Sequence, residues 1–352
     1  MLLVIAGVVL PASAASANGR HRVHVVRPGQ SIQAALVTAA PGDTVVVRPG
    51  TYRENLQIDK SGITLIGFGA TLEAPATPTI PTTNCVPGAV TTIGLCISGP
   101  TDPSTGQRVT IRNVTVRGLT IGRFPESGIV VVAGNRVRVE RVDAAGGAEY
   151  GVLFVLSSGT TLVNSTLHGG RVAGLYIGES PDAQSTVTGN RIVDNGIFGI
   201  FVRNASHGII SHNRVEGSCI GIGFIPSNQD PNAVREWLAS HNRVTANNRL
   251  CTAGGRALTG IGFYLGGAKN VTVKDNVIRD NSGAPGSNPP WGGGVVVNNG
   301  SLFGSPSLPV GNRVTGNTIL GNLPNDITVV VPGTDNQFTR NRCQTSSPSG
   351  LC

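Results

Sequence analysis

Apolar residues return at fixed offsets along most of this chain, at a period in the low twenties. The corner residue Asn213 is taken as the mark of one repeat. Equivalent marks are Phe68, Leu119, Val142, Ser165, Asn190, Asn242, Asn276, Asn317 and Asn341. The steps from 119 to 142, from 142 to 165 and from 190 to 213 are each 23 residues. Three residues before the marks stand Val116, Val139, Leu162, Val187, Ile210, Ala239, Val273 and Val314.

Each repeat predicts short strands separated by polar corners. No segment of the repeats shows a helical pattern, and one apolar residue recurs at each offset. This pattern is typical of a parallel β-helix, an all-β solenoid in which each coil buries its core against its neighbours. The Leu-x-x-Leu-x-Leu consensus of a leucine-rich repeat, which has a similar period, is absent. A solenoid grows by length, so 352 residues need no second domain.

Asparagine occupies the mark in six repeats, from Asn190 to Asn341. A sharp corner favours left-handed backbone angles, which Asn and Gly tolerate. Coils stacked about 4.8 Å apart would also let successive Asn amides hydrogen-bond along the solenoid. We therefore expect these Asn residues to have a structural role.

The first 17 residues predict a secretory signal. An apolar run of about ten residues is too short to span a bilayer and is followed by Ala-x-Ala-like sites at Ala14 and Ala17. The absence of a basic residue before the run departs from the usual pattern. We expect a secreted, extracellular protein without a membrane span.

Six cysteines in an exported chain predict three disulfides, although six cysteines allow 15 pairings. Metal binding is the weaker interpretation because no Cys-x-x-Cys spacing occurs. The repeat favours one set, in which local loops and neighbouring coils are closed. The expected pairs are Cys85 with Cys96, Cys219 with Cys251, and Cys343 with Cys352.

The N-terminal segment, residues 22–62, predicts a cap on the solenoid. Ser31 begins a helix that places Ile32, Ala35, Leu36 and Ala39 on one face. The run Pro-Gly-Gln-Ser-Ile-Gln-Ala-Ala from residue 28 is followed by Pro-Gly-Asp-Thr-Val-Val-Val-Arg-Pro-Gly-Thr-Tyr from residue 41. Together these runs resemble the opening of secreted bacterial right-handed parallel β-helix proteins of the pectin-lyase-like superfamily.

The resemblance covers nearly all of the chain after the signal, and implies one right-handed β-helix domain over residues 22–352. Its coils are expected over residues 63–343, and a disulfide-closed tail over residues 344–352. Residues 71–108 look like a surface excursion that interrupts the repeat. Four later insertions, 227–236, 252–258, 281–291 and 301–309, are expected to wall a cleft over one face.

The resemblance suggests a polysaccharide as partner but transfers no known active site. The Asn-Thr-Asp, Asp-Asp, Gly-His-Gly and Arg-Ile-Lys motifs of polygalacturonase-like sites are absent. The Asp-Pro-His motif of alginate-epimerase-like sites has only Asp230-Pro-Asn232 as its nearest counterpart. Candidate residues therefore come from the repeat register on the first strand of each coil, where relatives bind substrate.

Two carboxylates, Glu126 and Glu149, share one register on adjacent coils, so their charges should repel. Either one of the two has a raised pKa, or both need a cation or a basic neighbour. His168, Arg171 and Asp194 follow on the next two coils. The expected catalytic set is Glu126, Glu149, His168, Arg171 and Asp194. The expected substrate-binding set is Tyr176 and Phe201, as outward rings that stack on sugars, with Glu179 and Arg203 beside them. Ordinary solvated turn and strand residues would give the same pattern.

Two enzymatic interpretations follow. A pair of carboxyl groups serves glycoside hydrolysis as acid and nucleophile. β-Elimination by a lyase needs Arg171 or a cation to neutralise a uronate, with His168 or Tyr176 as base. The alternative is a non-catalytic glycan-binding or cell-surface structural module. Similarity of fold alone does not decide among these three functions.

The net charge of +8 fits an acidic polysaccharide as partner. A column of Arg191, Arg214 and Arg243 beside the Asn marks offers a second anion-binding surface, or a soluble corner. His212 and His241 alone make a poor metal site. We expect no resident metal, with calcium the one cofactor left open, no nucleic-acid partner, and a monomer.

Overall fold

A computed structural model describes residues 21–90, 92–230, 232–253, 255–283 and 292–352. It confirms the predicted right-handed parallel β-helix with a helix at its N-terminal end. Among the described residues, one sheet has 11 parallel strands and is called the front sheet. Its strands are Leu56–Ile58, Leu95–Ile97, Ile129–Val132, Tyr150–Val155, Ala173–Ser180, Phe198–Ala205, Ile220–Phe224, Ile261–Gly266, Gly293–Asn298, Ile327–Val329 and Ser346–Ser347.

The other large sheet, called the back sheet, has 20 strands in the described part of the chain. The second strand of each coil lies in the row Val23–Val26, Thr44–Val47, Thr64–Glu73, Thr115–Ile121, Arg138–Glu140, Thr161–Val163, Ser185–Thr188, Gly208–Ser211, Trp237–Ser240, Thr272–Lys274, Arg313–Thr315 and Gln337–Thr339. The third strand lies in the row Gly50–Arg53, Asp143–Ala145, Thr166–His168, Arg191–Val193, Arg214–Glu216, Arg243–Thr245, Val277–Arg279 and Thr318–Leu320. Thr64–Glu73 and Thr115–Ile121 run through both rows.

Two strand pairs lie outside these sheets. Ile111–Arg112 pairs in parallel with Gly134–Asn135, and Cys251–Ala253 forms an antiparallel hairpin with Arg256–Leu258. The short helices are the α-helix Ile32–Thr38 and the 3₁₀-helix Ser301–Phe303. None of the described helices has the length and apolarity that crossing a bilayer requires.

The core is the stack of inward-facing residues that the repeat predicted. Val139, Leu162, Val187 and Ile210 follow one another in register on successive coils and are fully buried. The same column continues through Ala239, Val273 and Val314. Each coil therefore buries its apolar face only against the coils on either side of it.

The N-terminal helix caps this core as expected. The Ser31 hydroxyl accepts from the Ala34 N–H, and Ile32 and Leu36 are buried in the core cluster. The repeat pattern does not reveal Glu54, whose buried carboxylate accepts from the Ile32 N–H over 2.7 Å and from the Ser31 hydroxyl over 2.7 Å. A carboxylate at the first turn satisfies amide groups that have no partner within the helix.

The corner geometry corrects one expectation. The left-handed residue is the one before each Asn mark, for example His212 at φ 56° and Asp275 at φ 54°. Asn213 itself is buried, and its side-chain amide donates to Asn242 Oδ1 over 3.0 Å and to the Val187 carbonyl over 3.0 Å. The predicted ladder of amides along the coils is therefore present, but it lies inside the solenoid.

A second amide ladder escaped the sequence analysis. Asn247 donates through its side chain to Asn281 Oδ1 over 3.0 Å, and Asn281 donates to Asn322 Oδ1 over 2.9 Å. Asn322 donates in turn to Asp326 Oδ1 over 3.0 Å. The signal is a second Asn five residues after the mark, at Asn195, Asn247, Asn281 and Asn322.

All three disulfides form as predicted, between Cys85 and Cys96, Cys219 and Cys251, and Cys343 and Cys352. The predicted surface excursion over residues 71–108 is too long, because this range contains the front-sheet strand Leu95–Ile97. That strand pairs with Leu56–Ile58 on one side and Ile129–Val132 on the other. The expected signal segment lies outside the described residues, and the domain bounds stay a prediction.

Candidate functional site

The outer face of the front sheet is covered at its N-terminal end. The N-terminal cover is the part of residues 74–94 that the structure describes. Its Cys85, Val86 and Ile93 pack with Val130 and Val132 of the sheet. Val130 and Val132 are only 4% and 6% exposed. A face that would otherwise be open to solvent is thereby buried.

A second cover lies over the C-terminal half of the same face. The C-terminal cover is the pair of hairpin strands Cys251–Ala253 and Arg256–Leu258, together with the 3₁₀-helix Ser301–Phe303 and the residues after it. It contributes Leu258, Leu302 and Phe303, which pack with outward residues of the sheet. Those outward residues are Phe198, Phe201, Ile220, Ile261, Tyr264 and Val296. The insertions were expected to wall a cleft, whereas these two lie directly on the sheet.

Between the two covers, one coil keeps its outward residues partly accessible. Tyr150, Leu153 and Val155 are half-buried, and Leu156 is 58% exposed. Leu153 packs with both apolar clusters, which places it at the boundary between the covers. We call these four residues the opening. Partly accessible apolar side chains of this kind suit the apolar face of a sugar ring.

The predicted carboxyl pair stands at one edge of the opening. The Glu149 N–H donates to the Glu126 carbonyl over 2.9 Å, so the two residues stack on adjacent coils. The pKa of the Glu149 carboxyl is raised, first by burial and then by the charge of Glu126. The Thr92 hydroxyl donates to Glu126 Oε2 over 2.7 Å. The two carboxyl groups therefore have different surroundings, as an acid and a base require.

Aromatic and charged side chains continue from Tyr150 across the sheet. The Tyr150 and Tyr176 ring centroids are 4.9 Å apart, and the Glu179 carboxylate lies near enough to raise the pKa of the Tyr176 hydroxyl. Arg203 reaches the Phe201 ring, with its guanidinium carbon 5.9 Å from the centroid. Glu179 also accepts from the Asn204 amide over 2.9 Å. Glu179 and Arg203 therefore lie beside the aromatic pair, where the repeat register put them.

Burial limits what the predicted aromatic residues offer to a ligand. Tyr176 is 8% exposed and Phe201 is 5% exposed, because the C-terminal cover and neighbouring rings enclose them. Phe201 stacks on Phe198 at 4.1 Å and meets Tyr176 edge-on at 5.3 Å. The two rings form part of an apolar layer and offer little open surface on which a sugar could stack.

Tyrosine hydroxyls at the opening stay protonated. Burial, followed by the charge of Glu149, raises the pKa of Tyr150 to about 12. Burial raises the pKa of Tyr176 further, and the neighbouring Glu179 carboxylate adds to the effect. Such hydroxyls donate hydrogen bonds and make poor general bases at neutral pH. Tyr150, half-buried beside Glu149, was not singled out from the sequence.

The remaining catalytic candidates lie at the third-strand side of their coils. His168 Nε2 lies 3.1 Å from Asp143 Oδ1, and both side chains are substantially exposed. Asp194 has a left-handed backbone at φ 53°, and its carboxylate lies against Gly217 of the next coil. Arg171 is exposed and lines a pocket with Arg123. The structure thus brings Glu126 and Glu149 together and gives His168 a different partner.

The arginine column and the histidine pair on the back sheet are present. Arg191, Arg214 and Arg243 are aligned in register, and Glu216 lies 3.5 Å from Arg191 and 2.8 Å from Arg214. The His212 and His241 rings stack at 5.1 Å. Within the described residues, no three His, Cys, Asp or Glu side chains are grouped to hold a metal ion.

The sequence matches the family of the right handed beta helix region over residues 84–220 and 127–343. These ranges cover most of the chain, and the protein belongs to this family. No curated protein matches it by sequence.

Solved structures of the same architecture are similar at low sequence identity. The mannuronan C-5 epimerase AlgE4 A-module of Azotobacter vinelandii is 18% identical, with TM-score 0.61, over 88% of this chain and 89% of its own. The polygalacturonase of Erwinia carotovora ssp. carotovora is 13% identical, with TM-score 0.59, over 93% and 94%. Pectate lyase Pel9A is 16% identical, with TM-score 0.57, over 90% and 79%. These likenesses show a shared right-handed parallel β-helix fold.

Proposed function

We propose that this protein is a secreted, monomeric enzyme that hydrolyses glycosidic bonds of a polysaccharide at the opening. The observation that carries the proposal is the Glu126–Glu149 pair beside the partly accessible coil between the two covers. The names of the similar structures, a pectate lyase and a polygalacturonase among them, support a polysaccharide as substrate. Three disulfides support export.

In this mechanism Glu149 is the general acid. Its raised pKa keeps the carboxyl protonated at a pH where an ordinary Glu is ionised, so it can donate a proton to the glycosidic oxygen. Glu126 is the carboxylate nucleophile of the pair, and the Thr92 hydroxyl donates a hydrogen bond to one of its oxygens. Among the described residues no hydrogen bond engages its second oxygen, which in this mechanism faces water or the sugar.

Tyr150 and the apolar residues of the opening position the sugar. The pKa of the Tyr150 hydroxyl is raised to about 12, so this hydroxyl is protonated at neutral pH and donates a hydrogen bond to a sugar oxygen. Leu153, Val155 and Leu156 provide apolar side chains for the sugar ring to contact. Elimination is less well supported, because His168 lies on the back sheet and the Tyr176 phenol is held protonated.

The test is an incubation of the mature protein with neutral and uronate polysaccharides, with and without calcium. New reducing ends and absorbance from unsaturated products are followed together. Reducing ends without unsaturated product are expected, and Glu149→Gln and Glu126→Gln should abolish them while melting temperatures stay unchanged. Glu216→Gln on the back sheet is the matched control. Unsaturated product would overturn the hydrolase proposal in favour of a lyase, and absence of any product would favour the non-catalytic glycan-binding module.

A further inference from the structure

A pocket of about 400 Å³ lies on the turns that precede the front-sheet strands. It is lined by Ala74, Arg123, Phe124, Pro125, Gly147, Ala148 and Arg171. Both arginines are exposed, as are Pro125 and Ala148, while Phe124 is buried beneath them. Two guanidinium groups thus share one small concave surface.

Neither guanidinium is neutralised by a described residue. No carboxylate of a described residue forms a salt bridge with Arg123 or Arg171. Arginines elsewhere on the solenoid do find partners, as Arg138 does with Glu140 at 2.5 Å and Arg214 with Glu216 at 2.8 Å. Like charges that share a concave surface raise its positive potential and attract an anion to it.

The arginine pocket belongs to the same stacked turns as the carboxyl pair. The Ala148 N–H donates to the Pro125 carbonyl over 2.9 Å, one residue from the Glu149-to-Glu126 bond. The Arg171 N–H donates to the Gly147 carbonyl over 3.1 Å on the following coil. Two carboxyl groups and two guanidinium groups therefore occupy three successive turns without pairing with one another.

Arginine suits this position because its planar guanidinium group can donate two parallel hydrogen bonds to two oxygens of one carboxylate or sulfate group. The Arg123 guanidinium extends along the solenoid to Gly169, two coils further on, and so approaches the turn that carries Arg171. Gly169 has no side chain that would occupy this space.

We propose that Arg123 and Arg171 together bind the anionic group of one sugar unit, so that the substrate is a polysaccharide bearing carboxylate or sulfate groups. This inference rests on the proposed function, because the pocket would place that sugar next to the Glu126–Glu149 pair. It adds Arg123, which sequence analysis did not select, and gives Arg171 a binding role.

The experiment measures binding by the full-length mature protein carrying Glu149→Gln, which prevents turnover. The probes are a galacturonic acid oligomer, the same oligomer reduced at its carboxyl groups to the neutral sugar, and a sulfated glucan oligomer. The galacturonic acid oligomer should bind at least tenfold more tightly than the reduced one. The sulfated oligomer separates the two anion sources, since preference for it would assign the pocket to sulfate.

Arginine variants locate the anion. Arg123→Ala and Arg171→Ala should each weaken binding of the anionic oligomer about tenfold, as expected for a hydrogen bond to a charged group. Binding of the neutral oligomer should change little. Arg313→Ala, an exposed arginine on the back sheet, is the matched control and should leave both unchanged.

Equal affinity for anionic and neutral oligomers would overturn the inference, as would undiminished anionic binding by the Arg123→Ala/Arg171→Ala double variant. These outcomes differ from failure of the proposed function. Selective anionic binding that depends on both arginines, without turnover by the wild type, would retain the pocket and reject the hydrolase. Turnover that is indifferent to both arginines would retain the hydrolase and reject the pocket.

Discussion

Glu149 stacks directly on Glu126, one coil along the solenoid, with its N–H donating to the Glu126 carbonyl over 2.9 Å. The coil spacing therefore places the two residues side by side, near enough for the Glu126 charge to act on the Glu149 carboxyl. Burial and the Glu126 charge both favour the protonated form of Glu149 and raise its pKa.

The pH dependence of the reaction follows from this stacking. Because the acid form of Glu149 is the active one, kcat should fall as pH rises through its raised pKa. Removing the neighbouring charge in Glu126→Gln should lower that pKa, since one of its two causes is lost. Carbon-13 NMR titration of the Glu149 carboxyl in the two proteins measures this directly. An unchanged titration midpoint would contradict an electrostatic coupling between the pair.

Thr92 is expected to position Glu126 without touching the substrate itself. Its hydroxyl donates to Glu126 Oε2 over 2.7 Å from the N-terminal cover. Thr92→Val should lower kcat about tenfold, the effect of losing about 1.4 kcal/mol, with a smaller change in KM. Thr92→Ser, which keeps the hydroxyl, should restore kcat. A kcat that the valine variant leaves intact would remove Thr92 from the site.

The amide ladder should contribute strongly to stability. Asn213 is buried, and its amide bonds to Val187 and Asn242 while its oxygen accepts from Asn190. Asn213→Ala leaves buried groups without partners on both neighbouring coils and should cost about 3 kcal/mol of unfolding free energy. Chemical denaturation measures the loss. The adjacent exposed Arg214→Ala should cost less than about 1 kcal/mol, and equal costs would argue against the ladder.

Gly199 is required by close approach of neighbouring coils. A Cβ at this position would lie 2.7 Å from the Gly221 carbonyl oxygen and would meet the Val215 side chain. Gly199→Ala should therefore destabilise the protein by about 1–3 kcal/mol through overpacking, seen as a lower melting temperature. A melting temperature equal to that of the wild type would show that the neighbouring coils accommodate the added methyl group without loss of stability.

Asp43 should make the N-terminal cap sensitive to acid. Hydrogen bonds from the Arg22 N–H, the His24 ring and the Ala40 N–H hold the pKa of its carboxyl well below the usual range. A lowered folded-state pKa contributes stability above the unfolded value, about 3.9, and this stability is lost as pH falls toward the folded value.

Asp43→Asn should consequently lower the melting temperature at pH 7, and the difference from wild type should shrink below about pH 4. Thermal unfolding of both proteins across this range checks the sign. A difference that stays constant down to pH 2 would show that the carboxylate charge contributes nothing.

The fold could be predicted from the sequence alone because each coil of a solenoid repeats the same local pattern of apolar and polar residues. Columns such as Val139, Leu162 and Val187 are visible at a fixed spacing, and the coil that each residue meets is its neighbour in the chain. The cap helix at Ser31 and the disulfide between Cys219 and Cys251 were predictable for the same reason. The strand Leu95–Ile97 was missed because an excursion of irregular length separates it from the mark.

The site depended on contacts that no repeat encodes. The register placed Glu126 and Glu149 on adjacent coils, and it directed Tyr176 and Phe201 outward. Whether an outward residue meets solvent was decided by the two covers, which come from insertions at distant points of the chain. They bury Tyr176 and Phe201 and leave Tyr150 and Leu156 accessible. Local periodicity thus determined the solenoid and which residues point inward or outward. Long-range packing of irregular segments decided which part of the outer face of the front sheet is open to solvent.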